Sequence, residues 1–451
     1  MDRKRIWGWW FFDWAGQPYH TLLVTFIFSI YFAETAQNAF IATGLDAAGA
    51  GARAQSLWGY GLAISGAFIA IFAPVLGAVA DTTGRRLPWV WFFSGLVVVG
   101  AAGLWGLTPT DPRLVTAVAF FGLGMIGLEF ATIFTNAILP GLAPRDEIGR
   151  ISGSGFAFGY LGGLVSLAIM LVFFAEGDSG KTLVGLPPAF GLDPAAREGT
   201  RFVGPFTALW YAIFMVPFFL WVKEPPGTGR PIRPGAAVRD LLNLLRSLRH
   251  RRSLATWLIS SMLSRDALNA LYGFGGVYAG TVLGWPVILS GVFGIVSASS
   301  AALISWLGGK ADKRWGPKPV IIATILTLTL VCVIVVGMSR ESLFGLPLAE
   351  GSKLPDAVFF VCGALIGGAG GAMQAASRTL TVRHTSEARA TEIFGLYALS
   401  GKATAFLAPF LIAVTTDLTG NQRIGISPLI VMFLLAVFLL GWVDKNGEAE
   451  Q

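Results

Sequence analysis

Along the chain, apolar runs of about 20 residues, each long enough to cross a bilayer as a helix, alternate with short polar connections. Twelve such runs are read, over 7–33, 57–80, 88–108, 114–138, 151–175, 203–222, 254–283, 287–308, 319–339, 356–377, 392–416 and 427–443. No polar stretch of soluble-domain length separates them. The pattern predicts an all-α integral membrane protein with twelve transmembrane helices. The first run follows the basic stretch Met1 to Arg5 and spans Ile6 to Ala33 around Asp13. That is about twice the apolar length of a signal peptide, so it is read as a retained first span.

Composition supports lipid as the solvent. Of 451 residues, 54% are hydrophobic and 13% charged, whereas a soluble protein carries about a quarter charged residues. The 57 glycines suit close helix contacts and the 15 tryptophans suit the headgroup level. The cysteines, Cys332 and Cys362, both lie in apolar runs and offer neither a disulfide framework nor a metal site. No metal and no cofactor is expected.

The net charge of +7 is explained by topology rather than by nucleic acid. With the N-terminus placed inside, the inner segments hold 23 of the 33 lysines and arginines and the outer loops 8, with Arg265 and Lys402 left within spans. Retention of basic loops on the cytoplasmic side predicts this bias. Both termini are then cytoplasmic, in a cell (inner) membrane.

The longest inner connection, 223–253, opens with Pro225, Pro226, Pro231 and Pro234. It continues into Ala236 to Arg252, where Val238, Leu241, Leu242, Leu245 and Leu248 recur at helical spacing. An amphipathic helix on the inner leaflet is expected. The division is an N-terminal half, 1–222, this basic loop, 223–253, and a C-terminal half, 254–451.

The halves repeat a motif. After the second run stands GAVADTTGRR, with Gly77, Asp81, Gly84, Arg85 and Arg86; after the eighth stands GGKADKRWGPK, with Gly308 and Asp312. In both, an aspartate follows a glycine by four residues and leads into a short basic loop. An aspartate there can accept hydrogen bonds from a nearby helix N-terminus, so the loop is expected to act as a conformational latch between spans. The second copy is looser: Gly316 comes one residue late and Pro317 precedes Lys318.

Paired motifs, 6+6 spans and a basic central loop resemble the major facilitator superfamily over essentially the whole chain. Islands at Phe11 to Phe32, Asn136 to Pro144, Gly149 to Gly163, Gly370 to Leu380 and Glu392 to Pro409 resemble its Umf1-type branch, which includes the autophagy-related vacuolar amino-acid effluxers of fungi. The resemblance implies two pseudo-symmetric six-helix halves and transport of amino acids, including efflux. The stretch AGQPYH departs from that branch with Gln17, Pro18 and His20 in place of small and hydroxyl residues, so substrate preference can differ.

Ionisable side chains inside a bilayer cost roughly 2.5 to 3.5 kcal/mol each on insertion scales and mark paired or wet sites. Asp13, Gln17 and His20 share a helical face at i, i+4, i+7, with His20 read either as a proton-coupling group or as a histidine bonded within a helix contact. The seventh run carries Arg265, Asp266, Asn269 and Tyr272; Asp266 sits about 18 Å from the inner end at 1.5 Å per residue. Asp266 and Asn269 are the leading cavity candidates, against a purely structural Arg265–Asp266 network. Lys402 lies at similar depth beside Tyr397 and Gly401, with Asp13, Glu129 and Asp266 as candidate partners. Glu129 and Asn136 share a face, as do Gln374 and Arg378, the last read equally as a lipid anchor.

No phosphate loop, metal-ligand pair or nucleophile–base arrangement stands in a supporting context. No enzyme and no catalytic residue is expected. The substrate and coupling set is Asp13, Gln17, His20, Glu129, Arg265, Asp266, Asn269, Gln374, Tyr397 and Lys402. The leading expectation is a monomeric secondary carrier of small polar solutes, amino acids first, with protons as a candidate coupling ion. A carrier of amphipathic drugs or lipids, and a non-transporting sensor or assembly factor on the same fold, are the alternatives.

Overall fold

The computed structural model describes residues 2–177, 179–224, 239, 242–243, 246, 248–285 and 287–447. The amphipathic helix expected over Ala236 to Arg252 falls largely outside these residues. The described residues form twelve long helical units, numbered here in chain order. Helix 1 comprises Arg3–Pro18, a π-helical turn Tyr19–Phe26 and Phe28–Ala42. Helices 2 to 6 are Ala47–Thr83, Leu87–Gly106, Leu114–Gly141, Ile148–Phe173 and Glu198–Trp221. Helices 7 and 8 are Arg252–Thr281 and Val287–Trp315. Helices 9 to 12 are Pro317–Gly337, Leu354–Arg383, Glu387–Thr419 and Gln422–Leu440.

Among the described residues, ten helices are long and apolar enough to cross a membrane by length and composition. The two that fall short are helix 1, whose continuous pieces are 16 and 15 residues, and helix 7, which carries Arg265, Asp266 and Asn269. Both are the helices richest in candidate chemistry.

Prolines account for the interruptions. Pro18 has no N–H and its ring crowds the carbonyl four residues back. The freed carbonyl of Trp14 accepts instead from Trp210 Nε1 at 3.2 Å, and the backbone runs into the π turn. Helix 11, expected as one run, is split into Ala390–Ala403 and Leu407–Thr419. Pro409 disfavours the helical carbonyl position of Ala405, so the chain opens one turn earlier. Helix 2 instead begins ten residues before its apolar run because Asp46 caps it, accepting from Gly49 N at 3.0 Å.

Buried apolar side chains form two main clusters. One is built from helices 1 to 6 and also takes in Val382, Ala390, Phe394 and Ala398; the other is built from helices 7 to 12. Helix 5 packs along helix 8, and helix 2 along helix 11. Small residues permit this approach: a Cβ on Gly153 would lie 2.5 Å from Gly309 Cα and from Ser305 O.

The end of the bundle carrying the two repeated loops, here the motif end, is where the halves are joined. Gly84 ends helix 2 with a left-handed φ of 64°. This places Asp81 at the start of helix 11, where its carboxylate accepts from Glu392 N at 2.8 Å and Thr391 N at 3.3 Å. Arg86 holds the same carboxylate at 3.2 Å and donates to Thr391 Oγ1 and Glu387 O. Arg85 is exposed, and Gly77 packs on the Thr391 carbonyl. In the second copy Gly308 packs on Ala372 within its own half, while the buried Asp312 carboxylate lies against Gly149 of helix 5, with Thr379 and Arg383 of its own half as its polar neighbours. There the joining charge is Glu147, paired with Lys313 across the halves and with Arg150 at 2.7 Å. Lys313 first, then Arg150, holds the Glu147 carboxyl below the usual carboxylate range.

Candidate functional site

Between the motif end and mid-depth, polar groups from both halves meet in two tiers. The lower tier centres on Arg378 of helix 10, a side chain 5% exposed. Its guanidinium reaches both oxygens of Asp13 at 3.2 to 3.4 Å, Asn136 Oδ1 at 3.1 Å, and Ser152 Oγ and O at 2.9 and 3.0 Å. The rings of Trp9 and Phe156 flank it, each with its centroid 4.4 Å away. Every partner comes from the other half. A buried guanidinium is tolerated only with this completeness, since an unpaired charge costs several kcal/mol. Ser152 closes the tier by donating to Ala375 O at 2.8 Å.

The upper tier holds a second inter-half pair. Lys402 of helix 11 lies 2.9 Å from Glu129 of helix 4, with both side chains under a quarter exposed. His20 and Arg265 stand within electrostatic reach of Glu129. Arg265 donates to Tyr397 O at 2.8 Å, with its guanidinium 4.2 Å over the Tyr397 ring and against Gly401. The cluster thus has one carboxylate and one imidazole from the first half facing two cations and an aromatic face from the second. Between the tiers, Tyr160 of helix 5 interacts through its hydroxyl with Tyr272 and Gln374 of the other half.

The candidates therefore part company. His20, Glu129, Arg265, Tyr397 and Lys402 are gathered in the upper tier, Gln374 lies between tiers, and Asp13 belongs to the lower. Gln17 packs on Gly163 of helix 5, because Pro18 and the π turn bend the face it was expected to share with His20. Asp266 is 2% exposed and accepts from Ala408 N at 3.2 Å, capping the second piece of helix 11. It is neither beside Arg265's contacts nor on an open surface, whereas Asn269 is exposed. Sequence reasoning did not single out Trp9, Ser152, Phe156 or Tyr160; Ser152 and Tyr160 were visible as polar residues in an apolar run. Among the described residues no three His, Cys, Asp or Glu side chains group to hold a metal, and both cysteines are buried and free.

A mid-depth cluster of opposite charges shared between two helical halves suits a carrier, and relatives establish the kind. The model of the Atg22-like vacuole effluxer family matches residues 1–149 and 144–451. The chain belongs to this family. It is 25% identical to YxiO, an MFS-type transporter of Bacillus subtilis, over 98% of this chain and 95% of that one. It is 24% identical to autophagy-related protein 22-1 of Phaeosphaeria nodorum, over 80% of this chain and 68% of that one. Among solved structures it is similar to the proton:xylose symporter XylE, with TM-score 0.71 and 13% identity over 98% of this chain and 96% of that one. The human organic anion transporter MFSD10 gives TM-score 0.68 and 16% identity over 97% and 99%. At such identities the likeness shows the fold, that of the major facilitator superfamily. This Atg22-like chain is a multi-pass membrane transporter, and its relatives and structural neighbours are transporters rather than enzymes.

Proposed function

We propose that the protein moves small polar solutes, amino acids first among them, by alternating access of two halves, 1–222 and 254–451, joined by 223–253. The observation that supports this best is the Glu129–Lys402 pair across the halves, with Arg265 and His20 beside it. A zwitterion fits that set: its ammonium takes the place of Lys402 at Glu129, and its carboxylate is received by Lys402 and Arg265. Carrier folds bind substrate at the midplane between repeats, where such an exchange of partners couples occupancy to the fit of the halves. Proton coupling through a carboxylate or His20 is part of the proposal.

The charge bias supports a cytoplasmic motif end, with both termini on that side of a cell membrane. The conformer described is then the one joined at its cytoplasmic end. A vacuole effluxer moves solute from the lumen into the cytoplasm, so the family's description supports net transport toward the cytoplasmic face, and a monomer is the working unit.

The test is counterflow of labelled amino acids into liposomes carrying the purified protein, with and without an imposed pH gradient. Saturable counterflow that is lost in Lys402→Ala and in Glu129→Gln supports the reading, and gradient dependence supports the proton. Absence of counterflow for every amino acid, from folded wild-type protein, overturns the substrate class.

A further inference from the structure

Each half ends its last helix with the same short pattern, and the two copies differ in charge. After helix 6 the chain reads Trp221, Val222, Lys223, Glu224; after helix 12 it reads Trp442, Val443, Asp444, Lys445. The valines are buried alike, at 0% and 2% exposure. After helix 6, Glu224 turns back onto the beginning of helix 3. Its carboxylate accepts from Arg86 N at 2.8 and 2.9 Å and from Leu87 N at 2.8 Å. A negative group there satisfies free donors and neutralises the positive end of the helix.

In the second half the residue in that place is a cation. Lys445 follows helix 12, and helix 9 begins at Pro317 with no side-chain cap. Lys318 donates from Nζ to Val443 O at 2.8 Å, and Arg383 donates to the backbone O of Lys445 at 2.8 Å, so two basic side chains gather on the turn that carries Lys445, where the first half has a carboxylate. The acidic residue present, Asp444, is engaged by its own turn, accepting from Asn446 N at 2.8 Å. Between the start of helix 9 and the end of helix 12 lies a groove of about 660 Å³, lined on its polar side by Lys318, Lys445 and the turn-engaged Asp444 and on its apolar side by Pro319, Ile322, Ala323 and Leu326. From Lys318 to Leu326 the wall runs about 12 Å along the helix, from headgroup level into the hydrocarbon.

We propose that this groove holds an anionic phospholipid of the motif-end leaflet, its phosphate between Lys318 and Lys445 and an acyl chain along the helix 9 wall. The lipid supplies at helix 9 the negative charge that Glu224 supplies at helix 3. Basic recesses between helix ends at a membrane face select anionic headgroups by this chemistry. An apolar wall continuing from the lysines distinguishes a lipid from a free anion.

The test uses purified full-length protein exchanged into neutral detergent with dioleoyl phosphatidylglycerol or dioleoyl phosphatidylcholine, reading retained lipid by native mass spectrometry and the Tm in each lipid. Wild type retains phosphatidylglycerol over phosphatidylcholine by about tenfold or more. Lys445→Glu, which copies the first half, loses that preference and holds its Tm in phosphatidylcholine, and Lys445→Gln loses part of it. Lys353→Glu makes the same charge change on an exposed lysine beyond the far end of helix 9 and keeps the preference. Equal preference in wild type and Lys445→Glu, or equal loss in Lys353→Glu, overturns the proposal. So does displacement by inorganic phosphate with both lipids retained alike, which assigns the rim to a free anion.

Discussion

Replacing Asp13 by Asn keeps the size of the side chain and removes the charge that faces Arg378. The guanidinium stays 5% exposed on its side chain and keeps Asn136, Ser152 and the two aromatic faces, but has no counter-charge. Removing one partner of a buried ion pair costs about 3 to 5 kcal/mol. With the neutral partners retained, the lower end, about 3 kcal/mol, is the appropriate figure. This cost falls on the conformer joined at the motif end, because parting the halves returns Arg378 to water. The ratio of joined to parted protein should therefore drop by a factor on the order of 10². Nitroxide labels on cysteines placed at Arg145 and Arg314, exposed positions on opposite halves, read this as a pulsed-EPR distance distribution. The wild type gives mainly a short distance and Asp13→Asn mainly a long one. Arg378→Gln should match it, and the double variant should be no worse than either single. An unchanged short distance in Asp13→Asn, or additive effects in the double variant, would refute the reasoning.

The other expectations address separate parts of the machine. Lys402→Ala should lower transport at least about tenfold at unchanged membrane abundance, because it strands Glu129 in a half-buried site; this is measured as initial counterflow rate per protein. Gly153→Val should open the motif end in the same distance measurement, since its Cβ alone would meet Gly309 and Ser305 at 2.5 Å, while each half keeps its own core. Glu147 has a lower pKa when Lys313 of the other half is joined to it than when that lysine is released, Arg150 staying beside it in both states. Joining is therefore favoured above the ordinary glutamate value of 4.5 and the advantage is lost as pH falls through the depressed value. Acid-induced lengthening of the label distance should be smaller in Glu147→Gln than in wild type, and identical curves would remove Glu147 from the joint.

How far the sequence carries the structure depends on the range of each interaction. Bilayer crossing is a local demand, met or failed within about 20 residues, so the twelve runs are visible directly. The breaks at Pro18 and before Pro409 also have local causes, but their consequences do not. That the carbonyl freed by Pro18 finds Trp210, and that the gap in helix 11 is capped by Asp266, depends on which helices are neighbours. Asp266 was read for its depth and charge, yet depth does not say which way a residue faces around a helix that is buried on several sides.

The same limit governs the charge pairs and the repeat. Lys402 had three carboxylates at compatible depth, and 273 residues separate it from the one it meets. Arg378, near a helix end, satisfied the pattern of a lipid anchor equally well; only the packing of Trp9 and Phe156 around it decides for burial. A repeated motif carries the fold to both halves but not the contacts, because each copy is completed by a different partner. Asp81 meets two backbone donors at Thr391 and Glu392, while Asp312 meets Gly149 and leaves the joining charge to Glu147 and Lys313. Glu224 caps helix 3, while Lys445 leaves helix 9 uncapped. Where two copies share a backbone and differ in charge, the difference shows which groups one half must obtain from outside itself. That makes the departures from the repeat, rather than its matches, the places where this transporter can depend on its membrane.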